Sequence, residues 1–147
     1  MFDGCTGLTS IEIPNNVTNI GSYAFSGCTG LTSIEIPNSV TSIGKMAFDK
    51  CSNLESLVVE PRNPEYDSRE NCNAIIETKN NTLVFGCKNT IIPDSVTTIG
   101  DYAFYDCSSL TSIEIPNSIT SIRAYAFCNC TSLTRIEIPS NVISIDF

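Results

Sequence analysis

Apolar residues recur in this chain at fixed offsets within a unit of 23 residues. Residues 27–44 read GCTGLTSIEIPNSVTSIG, with apolar positions at Cys28, Leu31, Ile34, Ile36, Val40 and Ile43, followed by Ala47 and Phe48. The two-residue spacing of Ile34 and Ile36 predicts a strand with those side chains inward and Ser33 and Glu35 outward. Pro37 ends that strand because proline has no N–H for a continuing ladder. Pro37-Asn38 then suits the centre of a turn. Val40 and Ile43 predict a second short extended piece, and Gly44 punctuates it. Ala47 and Phe48 are expected on about one helical turn leading back to Cys51.

The unit repeats. Pro14 and Pro37 are 23 residues apart, as are Pro93, Pro116 and Pro139; Cys5, Cys28 and Cys51 share the step, as do Cys107 and Cys130. A fixed period in the twenties marks a solenoid. The gap from Pro37 to Pro93 is 56 residues, two periods plus ten. It therefore holds one further coil, carrying Leu54, Leu57 and Val59 with Glu60 at the proline position, and an insertion at about residues 61–86. One coil cannot bury its own apolar edge, whereas stacked coils bury each other's. Parallel stacking at ~4.8 Å aligns a phenylalanine row: Phe2, Phe25, Phe48, Phe104 and Phe127. Arg123 occupies the position of Gly21, Gly44 and Gly100, so that position is expected to have negative φ. Residues 1–147 read as one repeat domain. Both ends fall within a coil and lack a polar cap, so the expectation is a piece of a longer array.

Inside the insertion, Ala74–Glu77 and Thr82–Phe85 are β-prone runs flanking the turn-like Thr78-Lys79-Asn80-Asn81, which predicts a hairpin replacing the outer part of one coil. Tyr66, Asp67, Arg69 and Glu70 precede it and are candidates for a ligand-contacting projection; the plainer reading is an insertion that thickens the wall. Stacking also aligns outward residues. One row is Glu12, Glu35, Val58, Ile91, Glu114 and Glu137, acidic at both ends and apolar in the middle. Its neighbour is Ser10, Ser33, Ser56, Asn89, Ser112 and Arg135. Glutamates ~5 Å apart repel by roughly 1–3 kcal/mol at surface dielectric. Solvent and salt, a basic partner or a hard cation such as calcium would offset that. The row is the candidate partner-binding surface.

Eight cysteines are present. Five share one position, nine before the proline; counting back from Pro93 puts Val84 there and Cys87 in the leucine position. Exchange with aliphatic residues marks a small buried hydrophobe. In-register Cβ atoms would also lie wider apart than the ~3.5–4.5 Å of a disulfide. Cys72 and Cys128 fall outside this column and are expected to be the reactive or paired ones. Cys128-Asn129-Cys130 is too closely spaced for zinc.

Composition narrows the function classes. The net charge is −8, which argues against nucleic acid and anionic membranes. No apolar run approaches the ~20 residues of a membrane-spanning helix. Histidine and tryptophan are absent, so Ser-His and Cys-His pairs are excluded. No paired constellation of Asp, Glu or Cys at catalytic spacing stands out. The expectation is no enzyme, no metal and no cofactor.

The coil pattern, LTSIEIPNSVTSIGxxAFxxC, resembles the 23-residue class of BspA-like leucine-rich repeats over nearly the whole chain, and residues 66–93 resemble an insertion in members from host-associated gut bacteria. The resemblance implies a predominantly β, α/β repeat solenoid of the right-handed leucine-rich-repeat type, with parallel strands on a concave face and a β-hairpin insertion. It also implies a cell-surface or secreted protein that binds a protein ligand, either a host extracellular-matrix protein or a bacterial surface protein. A structural spacer within a larger surface protein is the alternative. The family brings no catalytic motif.

Overall fold

A computed structural model describes residues 2–147. The coils stack in the register that the period demands. β1 (Asn19–Ile20) pairs with β3 (Ser42–Ile43), and β2 (Ser33–Ile36) with β4 (Ser56–Val59), both in parallel. Ile34 lies beside Leu57 and Ile36 beside Val59, and all four are buried. The chain then adds β5 (Tyr66–Asp67), a single 3-10 turn at Arg69–Asn71, β6 (Ala74–Glu77) and β7 (Thr82–Gly86). β8 (Thr98–Ile99), β9 (Ser121–Ile122) and β10 (Ser144–Ile145) complete it.

The predicted hairpin is β6–β7, with residues 78–81 in its turn. It forms part of the wall. β7 pairs in parallel with β8, Leu83 beside Ile99, so β7 supplies that coil's rung. β6 runs antiparallel to both β5 and β7. The insertion therefore adds one reversed rung to a six-stranded sheet ordered β10-β9-β8-β7-β6-β5. The core divides along this rung. Ile75 and Phe85 join the N-terminal apolar cluster with Leu31, Leu57 and Phe48. Ile76 and Leu83 join the C-terminal cluster with Ile99, Phe104 and Leu110. Ile75 and Ile76 face opposite sides, as neighbours in a strand do, and the irregularity in the pairing there, with Phe85 opposite Ile75 and Leu83 opposite Ile76, carries the same division into β7.

Four details differ from the sequence expectation. First, each proline opens its turn as residue one, not two: Val40 donates to the Pro37 carbonyl at 3.1 Å and Val96 to that of Pro93 at 3.0 Å. Proline's free carbonyl is what that position uses. Second, Ala47 and Phe48 sit in a run of tight turns, not a helical turn. Alternate N–H groups leave the coil: Tyr23, Phe25 and Gly27 donate to the Lys45, Ala47 and Asp49 carbonyls of the next, at 3.2, 2.8 and 2.8 Å. A helix would retain those donors internally. Positive φ also recurs every four residues, at Tyr23 and Gly27, Met46 and Lys50, Tyr102 and Asp106, Tyr125 and Asn129, and left-handed residues end helical runs. Arg123 is not a positive-φ residue, as its side chain requires.

Third, the phenylalanine row is two stacks. Phe2, Phe25 and Phe48 stack at 5.5 and 5.6 Å, and Phe104 and Phe127 at 5.1 Å. Phe85 closes the first stack edge-on at 5.3 Å. Gly86 holds the row position between the stacks, since its N–H donates to the Ala103 carbonyl as Phe25 does to Ala47. The Phe104 ring fills the space a side chain would need: a Cβ on Gly86 would meet it at 2.1 Å. Fourth, Cys87 takes the cysteine position rather than Val84. Thr90 donates to the Cys87 carbonyl as Leu31 and Leu110 donate to those of Cys28 and Cys107. Counting back from Pro93 fails because this coil is shorter between cysteine and proline.

Phe48→Ala is expected to cost roughly 3–5 kcal/mol by removing the ring between Phe25 and Phe85. Gly86→Ala is expected to cost about 1–3 kcal/mol by overpacking against Phe104. Urea unfolding of each variant reads both values. An unchanged midpoint for Gly86→Ala would contradict the close approach of Phe104.

Candidate functional site

The outward row of the strand face begins at Glu12 and Glu35 and continues to Val58. Inward isoleucines at Ile13, Ile34 and Ile36 anchor its backbone, which leaves these three side chains exposed. β2 and β4 place Glu35 directly beside Val58. No strand pairing forms where Glu12 lies next to Glu35, Ile91 next to Glu114 or Glu114 next to Glu137. The expected ladder of parallel strands on this face is thus confined to β2 and β4. Elsewhere the same inward–outward alternation lines shallow grooves. Glu12, Glu35, Val58 and Glu60 line one of about 580 Å³. Glu114, Glu137, Asp94 and Arg135 line another of about 860 Å³.

The row is not evenly spaced. Residues 68–72 pass between its two apolar members: the Val59 N–H donates to Ser68 Oγ at 2.9 Å, and the Ile91 N–H to the Cys72 carbonyl at 3.0 Å. Glu70, exposed and at φ 59°, enters the groove that Ile91 and Glu114 line. Val58 is 40% exposed and Ile91 74%, so both present hydrocarbon to solvent. Among the described residues that line these grooves, Glu12, Glu35, Glu60, Glu70, Asp94, Glu114 and Glu137 stand against one cation, Arg135, which pairs with Glu137.

The other three insertion candidates are engaged within the fold. Tyr66 is 9% exposed, and its hydroxyl accepts the Ile43 N–H at 3.2 Å. Burial pushes its phenol up from the usual value. Asp67 accepts from Arg69 Nε at 2.8 Å and from Nη2 at 2.7 Å. Arg69 Nη1 also reaches Asn81 and Ser95, at 2.9 and 3.3 Å. The Asp67 carboxylate is the main cause of the raised Arg69 pKa. Asn63, which no sequence signal singled out, organises the entry to this segment. Its Nδ2 donates to the Pro37 and Val40 carbonyls, both at 2.9 Å, and its Oδ1 accepts the Glu65 and Tyr66 N–H groups at 3.0 and 2.9 Å.

The cysteine column is a set of thiols. The Cys28, Cys51 and Cys130 Sγ atoms donate to the Phe2, Phe25 and Phe104 carbonyls, one coil back, at 3.0, 3.1 and 3.1 Å. Burial pushes the Cys51 and Cys107 thiols up to about 12 and that of Cys130 up to about 11. Cys72 departs from its expected reactivity: it is buried, with its thiol pushed up to about 11 by burial, and its Sγ lies 3.6 Å from the Ala74 carbonyl. The chain beyond the 3-10 turn folds it under β6. Cys5 is exposed and Cys128 half-buried.

Asn63→Ala is expected to cost about 1–3 kcal/mol by stranding the Tyr66 N–H and its neighbours, read by urea unfolding. A thiol reagent at neutral pH is expected to modify Cys5 and Cys128 in the folded chain, and the buried thiols only after denaturation. Peptide mapping of the labelled protein checks this, and rapid labelling of Cys72 would count against its burial.

Comparison with known proteins agrees with this architecture. A family profile described as "BspA type Leucine rich repeat region (6 copies)" matches residues 1–79 and 82–147. A leucine-rich repeat protein from Eubacterium ventriosum superposes with a TM-score of 0.76 at 30% identity, over 92% of this chain and 37% of that one. A leucine rich cell surface protein from Faecalibacterium prausnitzii gives a TM-score of 0.65 at 28% identity, over 90% of this chain and 42% of the other. The pneumococcal vaccine antigen PcpA shares the fold, with a TM-score of 0.69 at 19% identity over 88% of this chain and 39% of its own. This chain thus spans about two fifths of each of these structures. No curated protein matches it. With the profile covering nearly every residue and the coils stacked in 23-residue register, the chain belongs to the BspA-type leucine-rich-repeat family.

Proposed function

We propose that this chain is a non-catalytic leucine-rich-repeat module that binds a protein ligand at a bacterial cell surface, with the strand face as its docking surface. The observation that carries the reading is the exposed row itself. Val58 and Ile91 offer uncovered hydrocarbon, flanked by carboxylates that lack matching cations. Apolar centres with polar rims are what protein interfaces use. The cell-surface description of the Faecalibacterium protein supports the location. The ligand is a host extracellular-matrix protein or another bacterial surface protein.

A second reading is a spacer within a larger surface protein. It is favoured by the insertion, where Tyr66, Asp67 and Arg69 are already satisfied within the fold.

Binding to a panel of immobilised matrix proteins and to intact bacterial cells separates the two. The docking reading expects saturable binding that weakens at least about tenfold, or 1.4 kcal/mol, in the combined Glu35→Ala, Glu114→Ala, Glu137→Ala variant. It also expects Ile91→Asp to weaken binding while leaving the unfolding midpoint intact. Unchanged affinity in both variants would sink the strand face as the docking surface, and absence of binding to every probe would favour the spacer.

A further inference from the structure

The column of turns that carries Ala-Phe from coil to coil is broken once. Below the break, Tyr23, Phe25 and Gly27 donate to Lys45, Ala47 and Asp49; above it, Tyr102, Phe104 and Asp106 donate to Ala124, Ala126 and Cys128. Between the two sets the inserted coil supplies only Gly86-Cys87, with Gly86 in the phenylalanine position, where other coils supply Phe-x-x-Cys. Gly86 continues the column by one bond, to the Ala103 carbonyl at 2.8 Å. The shortfall leaves a cavity of about 20 Å³ between Met46–Cys51 and Tyr102–Cys107. That is room for about one water molecule.

Two carboxyls meet across this gap. Asp49 is 7% exposed, and its Oδ1 has no hydrogen-bond partner. Asp106 lines the same cavity, with its side chain 14% exposed. The coil positions equivalent to Asp49 hold Asp3, Ser26, Tyr105 and Cys128; those equivalent to Asp106 hold Gly4, Gly27, Lys50 and Asn129. A complete coil would keep these two positions apart, and the shortened one brings them together. The cation facing the pair is Lys50, with Nζ 3.9 Å from Asp106 Oδ2 and its side chain largely in solvent. The other titratable groups at the gap are Tyr102, Tyr105, Cys51, Cys87 and Cys107. The three thiols are uncharged at neutral pH, burial having raised each of them and pushed Cys51 and Cys107 up to about 12.

We propose that Asp49 and Asp106 share a proton across the shortened coil, fastening the two halves of the solenoid in mild acid and loosening their junction when both carboxyls ionise. A carboxyl facing a carboxylate makes a strong hydrogen bond, whereas two carboxylates repel. Burial first, and the Asp106 charge second, raise the Asp49 carboxyl from 3.8 to about 6. Because the folded-state value is the higher one, the stabilisation is fully present below pH 3.8 and is lost as pH rises through about 6. Lys50 acts in the opposite sense but is too exposed to cancel it.

Two measurements on the intact chain test this. In the first, the carboxyl carbon resonances of Asp49 and Asp106 are followed by NMR against pH. Asp49 is expected to titrate near 6, and Asp106→Asn to shift that midpoint down towards the ordinary aspartate range. In the second, thermal melts of the wild type and Asp49→Asn are compared at about pH 4.5 and about pH 7. Asparagine keeps the shape of the protonated acid and donates to Asp106. The variant is expected to match the wild type in acid and to melt higher at neutral pH. Parallel melting curves, an ordinary Asp49 midpoint, or a midpoint insensitive to Asp106→Asn would each overturn the proposal. The NMR arm on the wild type decides the matter even if a variant fails to fold.

Discussion

Everything in this molecule depends on coils covering one another in register. Each coil leaves two things unsatisfied: an apolar edge, and alternate backbone N–H groups in its turns. The next coil answers both, because residues 23 positions on present the same side chains and the same carbonyls at the same heights. Phe25 illustrates the coupling. Its ring stacks between Phe2 and Phe48, its N–H donates to Ala47, and its carbonyl accepts the Cys51 thiol. The cysteine column follows from the same geometry, since a small weak donor fits beneath the carbonyl of the preceding coil. Oxidation of Cys28, Cys51, Cys107 and Cys130 is disfavoured because burial keeps these thiols protonated.

The insertion shows how a periodic structure absorbs an aperiodic segment. A reversed rung, β6, is spliced between two forward ones, and one coil is shortened at its turn. Apolar continuity survives because the hairpin serves both core clusters. Three features mark the splice. Glycine replaces phenylalanine at Gly86, the aromatic row divides, and Asp49 comes to face Asp106. Two of these follow from a register displaced at a single coil. The third, Gly86, is the local adjustment that admits the Phe104 ring.

The strand face follows a different rule. Its backbone is anchored by inward isoleucines. Strand pairing forms where Glu35 lies beside Val58, and shallow acidic grooves lie on both sides of the insertion. Residues 68–72 widen the apolar centre further by separating Val58 from Ile91.

From the sequence alone, the period, the inward positions, the hairpin limits and the composition of the outward row were all legible, because each is a local or strictly repeated property. Pattern alone set Ile34 and Ile36 inward and Glu35 outward, and the arginine at position 123 correctly excluded positive φ there. What the tertiary structure decided lies at departures from the period. Counting from Pro93 misplaced Val84 and Cys87, since nothing in the residues themselves says that the coil is shortened on both sides of Cys87. Ala-Phe suggested a helical turn because propensity does not register hydrogen bonds donated to another coil. Tyr66 and Arg69 looked available because their partners, Ile43, Asn81 and Ser95, are distant in sequence, and Asp67 is engaged by Arg69 once the 3-10 turn brings the two together. Repetition writes contacts between neighbours into the chain at a fixed offset; once that offset breaks, only three-dimensional packing determines which groups meet.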